Sequence, residues 1–369
     1  MKVAFLIPTL TAGGAERVLT RMANYWSERS DNVSIITLDD PHTLPFYPLH
    51  QDIRLTQLNL ALAQRTGLKK INGLRRQIIG IRKYVVSEKP DVLIAFLDIA
   101  IFLSLVATAF LPVKVIISER NNPYRNHTNP WLQRMNNRLY SRADRIVLQT
   151  QRIAQTFPKA LQSAIRVVGN PVKTPKREVK DYATQHQRRV ILAVGRLAAQ
   201  KGFDVLVQAF ARLLPQHPDW QLRIVGVGEE EAALKQRCAD LSIAESVTFL
   251  GSVAQVEDKL LAASMFVLSS RFEGFPNALC EAMVIGLPVV ATRCEFGPEE
   301  IIRHEENGLL VPVDDAQELS DAMQRLVEDP ALGQRLGTQA KEIRDTYSID
   351  TVMTQWKSVV QSMIEPSPS

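Results

Sequence analysis

The chain has 369 residues, 46% of them hydrophobic and 22% charged, with 44 Lys and Arg against 39 Asp and Glu. This length exceeds what one hydrophobic core supports and predicts two domains, while the composition excludes disorder, collagen and a disulfide-held miniature fold. The net charge of +5 hides two unlike halves, 24 basic against 11 acidic residues from Met1 to Pro175 (+13) and 20 against 28 from Lys176 to Ser369 (−8), so the first half is expected to meet an anionic partner.

The chain opens with a strand, Val3–Pro8, which runs through Gly13-Gly14 into a helix, Ala15–Glu28. The apolar run is too short, and Glu16 and Arg17 follow too soon, for a signal peptide. Strands are predicted at Val33–Leu38, Val92–Phe96, Val113–Ser118, Arg145–Leu148 and Ile165–Val168, with a basic helical segment over Gly67–Val86 and a helix over Trp131–Ser141. The most apolar stretch, Ile94–Leu111, is broken by Asp98 and falls short of the roughly 20 apolar residues that span a bilayer. Lys173–Gln187 is polar, contains Pro175, lacks apolar periodicity and reads as a linker.

Beyond it, strands are expected at Val190–Val194, Gln221–Val225, Val247–Leu250, Met265–Leu268, Val289–Ala291 and Gly308–Val311. Helices are expected at Asp204–Leu214, Glu229–Leu241, Asn277–Ile285 and Gln317–Val327, and a last one at Ile349–Ile364 follows the complete second series. Alternating strands and helices predict an α/β protein with parallel sheets covered on both faces. The two series imply two Rossmann-like domains of six strands each, 1–172 and 173–348. Cys238, Cys280 and Cys294 form no CxxC pair, so neither a disulfide framework nor a zinc site is expected, and the reduced cytoplasm is the default compartment.

Three motifs carry chemistry. Gly13 and Gly14 at a strand-to-helix turn let a ligand approach the backbone, and the helix start behind them favours negative charge. A tight turn alone explains the pair equally well, and the pattern is not the GxGxxG dinucleotide fingerprint. In VGRLAAQKGFD (194–204), Arg196 and Lys201 lie between a strand and a helix, where two cations clamp a diphosphate and neutralise it as it departs. In EGFPNALCE (273–281), Glu273 on the loop and Glu281 on the following helix present two carboxylates at different heights, one for sugar hydroxyls and one for a ribose diol. Free N–H groups around Gly274, Phe275, Asn277 and Ala278 offer a cradle for a phosphate or a hydroxyl.

These pieces resemble the retaining glycosyltransferases of family 4. The matching stretches are GGAER (13–17), VGRLAAQKGFD (194–204), GVGEE (226–230), GS (251–252), EGFPNALCEAM (273–283) and NGLLVPVDD (307–315), in the family's order. The resemblance implies the GT-B fold, two Rossmann-like domains facing each other across a cleft, with the C-terminal helix (349–369) crossing back to the N-terminal domain. It implies that Arg196 and Lys201 bind the donor diphosphate, Glu273 the donor sugar and Glu281 the ribose, with Gly13 and Gly14 beside diphosphate and sugar. Base recognition is expected from backbone groups near Gly226–Gly228 and Gly251–Val253, with Gly226 and Val253 as the named candidates. Many members carry a His near the reacting sugar where this chain reads VIISERNN (115–122), so no catalytic His is assigned. Glu119 is a catalytic candidate there and Arg120 an acceptor candidate, with a structural ion pair as the competing explanation.

The implied reaction moves a hexose or N-acetylhexosamine, with UDP as the favoured nucleotide, by front-face substitution in which the leaving diphosphate helps deprotonate the acceptor. No cofactor or metal is expected, since no Asp-x-Asp occurs and the six histidines form no ligand-spaced pair. The alternatives are a sugar-nucleotide epimerase of the same fold, an NAD-dependent oxidoreductase, a transferase for another acceptor, and a non-catalytic basic scaffold.

In Gly67–Val86, Leu68, Ile71, Leu74, Ile78, Ile81 and Val85 recur at helical spacing, flanked by Lys69, Lys70, Arg75, Arg76, Arg82 and Lys83. Arg134, Arg138 and Arg142 recur every four residues and share one helix face. The bland explanation packs the apolar stripe on the sheet and leaves the cations solvated, but the charge of the half favours an anionic surface. No nucleic-acid motif is present. Similarity of Ile116–Asn122 and the GGAER turn to members that extend polyprenyl-diphosphate-linked sugars implies a lipid-linked acceptor in surface-glycan assembly. Peripheral attachment to the inner face of the cytoplasmic membrane follows from that similarity. The oligomeric state is left open.

Overall fold

The computed structural model describes residues 1–60, 68–120, 137–173, 175, 177–179, 181–253 and 255–364, with the side chains of 68–70 outside that description. They form two compact units, Met1–Pro171 with Asp350–Ser369, and Val172–Ile349.

In the first unit a seven-stranded parallel sheet comprises β1 (Lys2–Leu6), β2 (Asn32–Thr37), β3 (Arg54–Gln57), β4 (Val92–Phe96), β5 (Lys114–Ser118), β6 (Arg145–Leu148) and β7 (Ile165–Val167). Their order is β3-β2-β1-β4-β5-β6-β7, with Phe5 of β1 in register between Ile35 and Ile94. Helices cover both faces, so the central strands read as unbroken apolar runs. Helix α1 (Gly14–Ser27) buries Val18, Leu19, Met22 and Trp26, and the Trp26 ring stacks 5.6 Å from Phe5. Helices α2 (Leu68–Glu88) and α3 (Asp98–Ala107) pack on each other. No described helix is long and apolar enough to cross a membrane.

In the second unit β8 (Val190–Val194), β9 (Gln221–Val225), β10 (Val247–Phe249), β11 (Met265–Leu268), β12 (Val289–Thr292) and β13 (Leu309–Val311) pair in parallel in the order β10-β9-β8-β11-β12-β13. Alternate side chains feed opposite cores. Ile191, Ala193, Met265 and Val267 point to one face, and Val190, Leu192, Phe266 and Leu268 to the other. Chain order reverses between β1 and β4 and between β8 and β11. At such switch points the loops leaving the strand C-termini diverge and open a crevice for a ligand.

Two expectations need correction. The first sheet has seven strands, because the polar, half-exposed Arg54–Gln57 pairs with β2 at the edge. The stretch 173–187 is not a loose linker in its described part. Val179 N–H donates to Ile285 O, and the fully buried Tyr182 donates its hydroxyl to Ser264 O at 3.0 Å, so single anchors replace a periodic face. Of the helix predicted over Trp131–Ser141, residues 131–136, including Arg134, lie outside the described residues. The last helix, Ile349–Ile364, belongs from Asp350 onward to the first unit. Trp356 is buried along it, and Tyr25 donates to Asp350 at 2.8 Å.

Candidate functional site

The strongest constellation lies at the switch point of the second sheet. The loop leaving β8 ends in a short turn, Ala199–Lys201, closed by Gly202 in a left-handed conformation (φ 59°). A Cβ at Gly202 would lie 2.2 Å from Ser269 O, so only glycine lets this loop approach the one leaving β11 so closely. There the Lys201 ammonium meets Glu273 Oε1 at 2.5 Å, and Ser270 Oγ donates to the same oxygen at 2.6 Å. The pair is largely buried, with side-chain exposures of 19% and 7%. Arg196 on the same loop is exposed and makes no ion pair among the described residues.

A second set of contacts locks the two loops together. Arg271 clamps Asp204 through two bonds of 2.9 and 2.8 Å, reaches Asp314 at 2.7 Å and donates to Ala199 O at 2.6 Å. Gln200 donates to Phe272 O and Ser269 to Lys201 O. Burial works to raise the Asp204 carboxyl, but the Arg271 hydrogen bonds and charge outweigh it and hold the group below its ordinary value. Sequence reasoning missed Arg271, Asp204, Asp314 and Ser270. Their partners lie 3 to 72 residues away, and no local pattern marks them.

The helix Asn277–Val284 starts after Pro276 with no side-chain cap; Asn277 N–H donates to Phe275 O, so Ala278 and Leu279 supply the first-turn N–H groups without an acceptor among the described residues. Gly274, Asn277, Ala278 and Glu281 are half-buried, and Phe275 is buried against Tyr347 at 5.2 Å. On the other side, Gly226 leaves β9 at φ 146°, and a Cβ there would lie 1.8 Å from Gly195 O. Its N–H donates to Gly251 O beyond β10, two residues before the half-buried Val253. Along one rim therefore stand Val253, Gly226, the Arg196–Lys201 loop and Glu273, following β10, β9, β8 and β11 in spatial order. Four neighbouring strands span about 14 Å. The predicted donor residues of this unit thus share one sheet edge. Beside them, burial pushes the Cys294 thiol up to about 12, reinforced by the Glu273 charge, so the sulfur stays protonated and inert.

In the first unit, Gly13 caps α1 from an extended conformation and Gly14 opens the helix. Glu16 folds back over them, its Oε2 only 2.0 Å from where a Gly13 Cβ would sit. This carboxylate is 9% exposed, and burial raises its pKa. Glu16 stood in the quoted GGAER motif without an assigned role. At the same edge Leu97, just before α3, adopts φ 72°, a strained value for leucine.

Glu119 and Arg120 do not lie on an open basic surface. Glu119 is 2% exposed and accepts from Tyr140 Oη at 2.7 Å and from Arg120 N–H at 2.9 Å. The Arg120 guanidinium sits 4.2 Å over the Phe96 ring and donates to Asn170, and burial lowers its pKa to about 9. Both residues belong to a buried polar network at the C-terminal ends of β5, β6 and β7.

The basic helix α2 also differs from expectation. Gly73, Gln77, Ile81, Tyr84 and Val85 face inward, whereas Ile71, predicted for the packed stripe, is 65% exposed. Gln77 replaces an apolar residue on the inner face because its amide donates to Leu60 O at 2.7 Å. Arg75, Arg76 and Lys83 are exposed, as is Arg138. Arg82 donates to Ala107 O and Ala109 O, both at 2.9 Å, and so caps the C-terminus of α3. The side chains of Lys69 and Lys70, like Arg134, lie outside the described residues. No group of three or more His, Cys, Asp or Glu placed to hold a metal occurs among the described residues.

Two family models match adjoining parts of the chain, Glycosyltransferase Family 4 over residues 12–176 and Glycosyl transferases group 1 over residues 175–343. An uncharacterized glycosyltransferase of Haemophilus influenzae is 28% identical over 97% of this chain and 99% of its own length. A Campylobacter jejuni alpha-1,4-N-acetyl-D-galactosaminyltransferase, named for a GalNAc disaccharide on diNAcBac-PP-undecaprenol, is 26% identical over 98% of both chains. Among solved structures, Anabaena Alr3699/HepE in complex with UDP-glucose superposes with a TM-score of 0.79 at 21% identity, covering 98% of this chain and 100% of that one. The two Rossmann-like sheets are those of the GT-B fold.

Proposed function

The chain belongs to the glycosyltransferases of family 4, and from that premise we infer that it transfers a hexose or N-acetylhexosamine from a UDP-sugar to a polyprenyl-diphosphate-linked saccharide in surface-glycan assembly. Transfer proceeds with retained configuration and without a metal, at the inner face of the cytoplasmic membrane. The observation that carries the donor part is the rim formed by β10, β9, β8 and β11. Its span of about 14 Å suits an extended nucleotide sugar, with the base near Val253 and Gly226, the diphosphate at Arg196 and Lys201, and the sugar at Glu273. The acceptor class is supported by the Campylobacter relative and the donor class by the Anabaena complex.

Lys201 and Glu273 neutralise each other. Donor binding substitutes one partner for each. A diphosphate oxygen takes the ammonium, and sugar hydroxyls donate to the carboxylate that Ser270 already orients. The anomeric C–O bond to the diphosphate then breaks as the acceptor oxygen approaches from the same face. The acceptor proton passes to the leaving diphosphate oxygen, so no protein carboxylate has to accept it. Charge grows on that leaving oxygen, which is where Arg196, Lys201 and the first-turn N–H groups of Asn277–Val284 act. Glu281, one turn into that helix, is the ribose ligand. Glu119 is buried and bonded to Tyr140, and its part is to position Arg120 rather than to touch the sugar.

The test is a panel of nucleotide sugars with a polyprenyl-diphosphate saccharide acceptor in metal-free buffer with EDTA, with NMR of the product. Transfer from a UDP-sugar with an α-linked product from an α-donor is expected. Isomerised donor without transfer would establish the epimerase instead, and loss of turnover in EDTA would remove the metal-independent mechanism.

A further inference from the structure

Helix α2 turns apolar residues outward. Ile71, Ile79 and Val86 are 65%, 42% and 51% exposed. At 3.6 residues per turn they fall within an arc of about 80° and along about 22 Å of the helix. Arg75 lies within that arc, and Lys83 and Arg76 border it, all three exposed. Next to α2, the chain leaves α3 through a turn whose tip is Phe110, fully exposed at 100% and held at φ 61°. A phenylalanine enters that backbone region only against its own sterics. Arg82 joins the two features, because its bonds to Ala107 O and Ala109 O fix the middle of α2 against the base of the Phe110 turn. The exposed Arg142 lies 6.0 Å over the Phe110 ring, and with Leu105, Leu111 and Lys114 it lines a cavity of about 470 Å³ beneath it.

The charges here are one-sided. Glu88 is bound to Lys2 and Arg54, and Asp144 to Lys114, so the nearby carboxylates are spent. Arg75, Arg76, Lys83 and Arg142 remain around the apolar tips. Exposed aliphatic and aromatic side chains ringed by cations fit the boundary between headgroups and acyl chains. A cavity lined by Leu105 and Leu111 also holds the Lys114–Asp144 pair, so Arg142 is the cation left there for a lipid phosphate at the start of its chain.

We propose that Ile71, Ile79 and Val86 of α2 together with the Phe110 turn insert into an anionic phospholipid surface, with Arg75, Arg76, Lys83 and Arg142 at headgroup depth. The proposal rests on the lipid-linked acceptor inferred above and names the face that meets the lipid. Of the described members of the apolar stripe read from sequence, Ile71 belongs to this face, whereas Ile81 and Val85 are buried and Leu74 and Ile78 half-buried.

Vesicle flotation tests it, with phosphatidylglycerol-containing and pure phosphatidylcholine vesicles at low and high salt. Wild type is expected to float with the anionic vesicles. The pair Phe110→Ser and Ile79→Ser lowers partitioning at least about tenfold at both salt concentrations, the smallest loss consistent with withdrawing one large side chain from an apolar phase. Arg75→Gln, Arg76→Gln and Lys83→Gln together lower it about 100-fold at low salt, about fivefold per cation, and less at high salt. A Phe110→Trp variant shows a blue-shifted indole emission on the anionic vesicles, read against the wild-type spectrum. Equal flotation of wild type and the Phe110→Ser/Ile79→Ser protein, or no emission shift from the Phe110→Trp variant on vesicles that carry it, overturns the proposal. So does self-association through these residues without flotation. Turnover on acceptor dissolved in detergent separates the two inferences. Transfer in detergent without flotation removes the surface and keeps the acceptor. Flotation by a wild type that cannot glycosylate that acceptor does the reverse.

Discussion

Replacing Lys201 by Met removes the cation from a pair that is 2.5 Å long and mostly out of water. Glu273 is then left 7% exposed on that side chain with only Ser270 as a described donor. Stripping one partner from a fully buried pair costs about 3–5 kcal/mol. Lys201 keeps some contact with solvent, so a cost at or just below the lower end of that scale, about 2–3 kcal/mol, is expected here. In a unit of this size each kcal/mol moves the melting point by about 2–4 °C, giving a fall of roughly 4–12 °C. Turnover should drop about 100- to 1000-fold if Lys201 also steadies the departing diphosphate. The double variant Lys201→Met/Glu273→Gln separates the two effects. It leaves no unpaired buried charge, and the amide can still accept from Ser270, so stability should return to within about 1 kcal/mol of wild type. Turnover should stay at the level of the single variant or below. Calorimetric melts and initial rates of UDP release measure both. If the double variant regained activity together with stability, the pair would be a clamp between loops and the diphosphate reasoning would be wrong.

The Arg271 clamp predicts a specific acid limb. The Asp204 carboxyl is held below its ordinary 3.8 in the folded protein, so its stabilising contribution is present above that pH and lost as pH falls through the lowered value. The melting-point gap between wild type and Asp204→Asn should therefore be constant near neutrality and close only in strong acid. A gap that closed near neutrality would mean another group titrates. Glu16 gives the opposite sign. Burial raises its carboxyl above 4.5, so the stabilising share exists below that value and vanishes as pH rises through the raised one. Glu16→Gln should thus melt above wild type at neutral pH and approach it near pH 4, while donor turnover falls. Unchanged turnover would leave Glu16 as a packing residue of the Gly13-Gly14 turn.

Legibility followed burial and locality. β8, β9 and β11 were placed to the residue because central strands of a covered parallel sheet are unbroken apolar runs bounded by polar loops. Arg196, Lys201, Gly226 and Glu273 come to one sheet edge because each follows such a strand within seven positions. β3 was missed because RLTQ sits at the sheet edge, where one side faces solvent and no apolar signature is required. On α2 the expected Ile81 and Val85 are buried and Leu74 and Ile78 half-buried, but Ile71 is exposed, and a hydrogen-bonded Gln77 and a small Gly73 complete the inner face, which a count of apolar residues cannot anticipate. The Glu119–Tyr140 and Arg271–Asp314 contacts join residues 21 and 43 positions apart, and only the fold brings them together.

A net charge of +13 on the first 175 residues is not a surface property until each cation is placed. Arg82 is engaged in capping α3, and Arg120 is sealed against Phe96. Lys114 and Arg54 are bound to carboxylates. What remains around Phe110 and α2 is a smaller group, Arg75, Arg76, Lys83 and Arg142, exposed and therefore screened by salt. In the second unit, Arg271, Arg303, Arg325 and Arg344 are each tied to acidic partners, and the cation nearest the proposed sugar position, Lys201, is largely buried. Buried charges are screened far less than exposed ones. The two anionic partners should therefore part company as salt is raised. Vesicle binding should weaken steeply, while the KM for the nucleotide sugar, measured on detergent-dissolved acceptor, should change little. Parallel loss of both would mean that donor recognition depends on the exposed Arg196 and not on the Lys201–Glu273 centre.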